Sequence, residues 1–138
     1  MNLALQHTMI DDVRLVVWPR RDPSDAEFDA HVSEALGMAD RVRVVLVLVE
    51  EGGRVSPAFR ARLVRSGLLE APHAVLTDSF LARAEVTSVI RMGRNMRTFP
   101  ADALDEALDF LVVPPPLRAD IQARLTAMKR EGFAAAAP

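Results

Sequence analysis

An α/β fold built on one mixed, mostly parallel sheet is predicted by three features of the sequence. Residues 42–50, Val-Arg-Val-Val-Leu-Val-Leu-Val-Glu, are a nearly unbroken β-branched and leucine run, the composition of a central strand covered on both faces. From residue 24 onward, short apolar runs alternate with segments whose apolar residues recur at helical spacing, the order that β-α-β crossovers produce. Ahead of these, two short apolar runs flank Asp11-Asp12 and read as an antiparallel hairpin. With 138 residues, 50% of them hydrophobic, the chain is large enough for a single domain with a continuous core.

Taken in order, residues 3–9 and 13–18 form the hairpin, and Pro19 and Pro23 end its second strand because proline donates no ladder hydrogen bond. Ser24-Asp25-Ala26-Glu27 has capping-box spacing, and Phe28, Val32, Ala35, Leu36 and Ala39 then trace one apolar helical stripe. The central strand leaves through Glu50-Glu51-Gly52-Gly53 into Ser56-Pro57, a hydroxyl cap with proline at the first helical position, and Gly67 closes that helix. Residues 73–77 form a strand. Asp78-Ser79 then starts a helix running to about Met92, with Ala82, Val86, Val89, Ile90 and Gly93 inward. Residues 95–99 form an edge strand, and residues 100–111 a helix with Asp102, Asp105 and Glu106 early, where carboxylates suit the positive helix end. The domain reads as complete over residues 1–113. Residues 114–138 follow as an extended Pro114-Pro115-Pro116 spacer, an added C-terminal helix over 117–130, and a disordered tail from Gly132.

Composition excludes several functions. Without cysteine there are no disulfides, thiolate metal sites or cysteine nucleophile, which suits a reducing cytoplasm. A formal charge of −2, no tyrosine and 5% aromatic residues argue against nucleic acid as a partner. All but one of the 17 basic residues are arginine, the exception being Lys129. No basic-then-apolar leader opens the sequence, and no apolar run approaches the ~18 residues of a spanning helix, so an unexported protein without a transmembrane segment is expected. His7, His31 and His73 lack metal-ligand spacing and read as structural, and no catalytic residue, metal or cofactor is assigned. Gly52-Gly53 lacks the Lys-Ser/Thr of a phosphate loop.

The order of elements resembles the STAS fold of sulfate transporters and anti-sigma-factor antagonists. The segments Val75-Leu76-Thr77-Asp78-Ser79-Phe80-Leu81-Ala82-Arg83-Ala84 and Asp105-Glu106-Ala107-Leu108-Asp109-Phe110-Leu111 are similar to the second half of its SpoIIAA-like branch. The likeness spans roughly residues 3–112. It implies a small, non-catalytic regulatory module that acts through a protein partner or self-association. The Asp-Ser-Ser-Gly phosphorylation turn of the antagonists is absent; the corresponding place reads Glu50-Glu51-Gly52-Gly53-Arg54-Val55-Ser56-Pro57.

Four sets of residues carry the candidate sites. Ser56 reads first as a plain N-cap, and it is also a phosphorylation candidate, because a phosphate there would meet a helix N-terminus with Arg54 and Arg60 nearby. Asp78 and Ser79 stand at the carboxyl end of a parallel strand, the edge where open sheets hold ligands, and also suit capping. Arg83, Thr87, Arg91 and Arg94 form one polar stripe, with Arg97 following, that suits a small anionic or lipid-like ligand, an acidic partner or plain solvent. Leu117, Ile121, Leu125 and Met128 form an apolar stripe that must be covered, by a second copy in a homodimer or by the chain's own sheet.

Overall fold

A computed structural model describes residues 5–136 of the chain, with side chains as far as Arg130. The elements are β1 (Gln6–Ile10), β2 (Val13–Trp18), α1 (Asp25–Gly37), a single 3-10 turn (Ala39–Arg41), β3 (Val44–Val49), α2 (Pro57–Ser66), β4 (His73–Leu76), α3 (Phe80–Ile90), β5 (Met96–Phe99), α4 (Leu104–Phe110) and α5 (Pro115–Ala136). The five strands form one sheet in the order β1-β2-β3-β4-β5. β1 runs antiparallel to β2, from Gln6 opposite Val17 to Ile10 opposite Val13, and every later neighbour is parallel. Asp11 makes the hairpin turn at φ 53°, a left-handed conformation that aspartate tolerates better than most residues. Residues 3 and 4 of the expected first strand lie outside the described residues.

Because strand order repeats chain order, each crossover steps in the same direction, and right-handed crossovers of one direction place all their helices on one side. The two cores show that result. Val16, Val45 and Val75 share a cluster with Phe28 of α1, Phe59 of α2 and Ala82 of α3. The opposite side, carrying Val13, Leu15, Val17, Val44, Leu46, Leu48, Ala74 and Leu76, is left to α4 and α5.

This arrangement decides between the two coverings of the C-terminal stripe and corrects the expected spacer and tail. Ile121, Leu125 and Met128 are buried in the same core as β2 and β3, with Leu117 packed against it, so the stripe lies on the sheet of its own chain and is not left for a second copy. The domain is not complete at residue 113, since without α5 that side of β1 and β2 would be bare. Nor do the three prolines form a spacer. Pro115 and Pro116 open α5, where the first amides have no intrahelical acceptor and proline costs nothing, and the Leu117 amide bonds the Pro114 carbonyl at 3.0 Å. The helix continues through the expected tail to Ala136, and residues 137 and 138 are outside the described range.

Local signals otherwise act as their chemistry requires. Ser24 and Glu27 form a reciprocal capping box, Ser56 caps α2 ahead of Pro57, and Gly67 ends α2 at φ 83°. Two helical stripes shift. In α1 the helix stops at Gly37, so Leu36 and Ala39 are exposed and His31 takes the inward place beside Phe28 and Ala35. In α3, Ile90 is the last helical residue and is exposed, as is Gly93 beyond it, leaving Ala82 and Val89 as the buried contacts.

Candidate functional site

β2 alternates Val13, Leu15 and Val17 toward α4 and α5 with Arg14, Val16 and Trp18 toward α1–α3. On that second side the helices do not fill the space above the strands. A cavity of about 460 Å³ remains, within the ~300–1,000 Å³ usual for small-molecule pockets. Its floor is Val45 and Val47 of β3 with Val75 of β4, and Leu63 of α2 faces Val86 and Val89 of α3 across it. Val47 is only half-buried in the middle strand of a five-stranded sheet because it faces this space, which is partly open to solvent.

Charged pairs hold the walls. The Val55 amide donates to Glu85 Oε1 at 3.2 Å, while Glu85 Oε2 faces Arg60 at 3.5 Å and Arg54 at 3.7 Å, tying α3 to α2 and the loop before it. Arg94 reaches Glu70 at 3.4 Å beyond the other end of α2. Trp18 donates from Nε1 to the Arg54 carbonyl at 2.9 Å and meets Phe28 edge-on, and Phe28 stacks on Phe59 with ring centres 4.2 Å apart. These rings brace α1 and α2 at one end.

At the other end lies a polar cluster. Arg14, only 4% exposed, directs Nη1 to Met38 Sδ at 3.0 Å and Nη2 to His31 Nδ1 at 3.4 Å, and forms no ion pair among the described residues. A guanidinium only donates, so His31 Nδ1 accepts and its ring proton sits on Nε2. The His7 ring lies edge-on to His31 at 5.2 Å, and His7 Nε2 is 2.8 Å from Glu34. His73, the first residue of β4, donates from Nδ1 to the Ala71 carbonyl at 2.7 Å, leaving Nε2 with its lone pair.

Burial dominates the electrostatics here. It lowers His31 to about 3, with the Arg14 charge and then His7 adding to the effect. It lowers His73 to about 4, against the Ala71 hydrogen bond and with Arg14 assisting. His7 is also lowered, by burial and then Arg14, with Glu34 opposing. Burial pushes Arg14 itself below the usual guanidinium range, and Glu34 opposes that shift. The imidazoles are neutral at pH 7, so Arg14 is the cation of the cluster.

The residues singled out from sequence lie elsewhere. Ser56 Oγ accepts the Phe59 amide at 3.2 Å as an N-cap, and Arg54 and Arg60 are already directed to Glu85. Ser79 Oγ caps α3 through the Ala82 amide at 3.2 Å, and Asp78 Oδ1 accepts the Ala101 amide at 3.0 Å. Both line an open depression at the carboxyl ends of the strands, with Glu50, Glu51, Lys129 and Arg130. Arg83 and Thr87 are exposed on α3 and Arg91 is exposed at its C-cap, and Thr87 Oγ1 bonds back to the Arg83 carbonyl. Arg94 pairs with Glu70, and Arg97 lies over the Phe99 ring on the opposite side of the sheet. The structure therefore does not gather the arginine stripe around the cavity. Gly53 is required by packing: a Cβ there would sit 2.7 Å from the Pro19 carbonyl and 2.9 Å from that of Glu50.

Sequence reasoning missed Arg14 as a site residue. The signal was present: an arginine inside Val-Arg-Leu-Val-Val-Trp, in register with Val16 and Trp18. Among the described residues no cluster of His, Asp or Glu has a geometry that could hold a metal ion, and no helix is long and apolar enough to cross a membrane. Fold and site together define an α/β protein with one packed and one hollow sheet face. No protein-family model, curated protein or solved structure matches the chain.

Proposed function

We propose that the chain is a non-catalytic regulatory module of the STAS type, acting in the cytoplasm, whose input is a small, mainly apolar molecule held between the sheet and α1–α3. The observation that carries this reading is the solvent-connected cavity of about 460 Å³ floored by Val45, Val47 and Val75. Apolar side chains left half-buried around an open space, such as Val47, Leu63 and Val86, lose contact energy that a ligand restores. Regulation follows from the walls. α2 and α3 meet through the Glu85 pairs with Arg54 and Arg60, so a guest that spreads or draws in the helices alters the outer surface offered to a partner.

Native mass spectrometry of gently purified protein tests the reading. A retained molecule of a few hundred daltons, lost on Val47→Phe, is the expected result. A protein that carries no guest, and whose Trp18 emission ignores added apolar molecules, overturns it. A second reading, direct partner docking on α3, is favoured by Phe80 and Leu81, which are 76% and 54% exposed at its start. It predicts that Phe80→Ser with Leu81→Ser abolishes partner capture while cavity occupancy is untouched.

A further inference from the structure

A buried charge without a counter-charge is expensive, and among the described residues Arg14 is paired with none. Its neighbours offer a thioether and an imidazole nitrogen, neither of them anionic. Glu34 reaches it only as a longer-range field and is itself in contact with His7. The other arginines lining the cavity are occupied: Arg43 pairs with Asp12 at 2.9 Å and donates to the Leu111 carbonyl, and Arg60 faces Glu85. The cavity thus has long apolar walls and a single uncompensated positive charge at one end.

We propose that the ligand is an amphipathic monocarboxylate, its hydrocarbon body over Val45, Val47 and Val75 and its carboxylate on the Arg14 guanidinium. This rests on the cavity being a ligand site, as proposed above, and adds the chemistry of the head group. A carboxylate matches the planar guanidinium fork and carries one negative charge, the amount Arg14 can balance. A phosphate dianion would bring a second charge toward Glu34, Glu70 and Glu85 with no further free cation among the lining residues. A neutral head group would leave Arg14 unpaired. His31 and His73, held neutral by burial, add no charge that would favour a dianion.

The 138-residue chain is titrated with decanoate, decanol and decyl phosphate, following its single tryptophan, Trp18, which lines the cavity, with calorimetry as a second readout. Decanoate is expected to bind about 10- to 100-fold more tightly than decanol, the range of a charge-assisted hydrogen-bonded pair. Arg14→Met, which keeps the side-chain volume and removes the charge, is expected to erase that preference while decanol binding persists, and Arg14→Lys to retain part of it. Equal affinity for decanoate and decanol, or tighter binding of decyl phosphate, overturns the carboxylate assignment and leaves the cavity reading standing. Failure of all three to bind overturns both. The wild-type comparison needs no variant, so it decides the matter even if Arg14→Met does not fold.

Discussion

The two sides of the sheet are made from the same strands and are filled in opposite ways. Toward α4 and α5, Val13, Leu15, Leu46, Leu76, Leu108 and Ile121 interlock with almost no exposure. Toward α1–α3, neighbours one residue along the same strands surround open space and a buried arginine. Leu46 and Val47 make the contrast in its smallest form: they are adjacent in β3, and the pleat sends one into each environment. Close packing on one side holds the sheet rigid, and a cavity on the other can then persist without collapse.

Truncation should separate the sides most. Leu46→Ala is expected to cost about 2–5 kcal/mol, because the tight side cannot close over the lost volume, whereas Val47→Ala should cost under ~1 kcal/mol next to space already empty. Urea unfolding of both variants checks this, and equal losses would show that the cavity is filled. Enlargement reverses the logic: Leu46→Phe should destabilise by about 1–3 kcal/mol through overpacking, while Val47→Phe should be close to neutral and block ligand uptake.

Acid should act on the hollow side through its histidines, all three of which lie there. His31 and His73 titrate near 3 and 4 in the fold and near 6.5 when unfolded. Between those values the unfolded chain binds more protons, so stability is full above about pH 6.5 and falls with acidification by about 1.4 kcal/mol per pH unit for each histidine. His73→Asn should remove one such increment from the slope between pH 6 and 5. An unchanged slope would mean that imidazole titrates as if exposed. The smallest effect belongs to the cap of α1, the helix above Arg14: Ser24→Ala should cost about 1 kcal/mol by thermal melting and leave decanoate affinity unaltered.

Much of the architecture was readable because it is local. The β-branched run of β3, the Ser24 and Ser56 caps, Pro57 and Gly67 each act within one turn or strand. The candidate site was not readable, because it depends on where separate elements meet. Arg14, His31 and His73 come from β2, α1 and β4, and nothing in their spacing announces a shared end of one cavity. The arginine stripe on α3 looked more promising only because its members are close in sequence. The role of α5 was hidden for a topological reason: the single-sided placement of α1–α3 becomes apparent only when strand order is known.

That strand order has a bearing on birth of the molecule at the ribosome. Each new strand joins the edge left by the one before it, so no segment must be threaded between partners already joined, and the growing chain can add β3, β4 and β5 as each emerges. The exception is α5, which must travel back to the oldest part of the sheet, where the Gln6 side chain bonds the Met128 carbonyl at 3.0 Å. Until that helix arrives, the leucines of β2 and β3 stand uncovered, and a nascent chain stalled before residue 115 would be the form most in need of a chaperone.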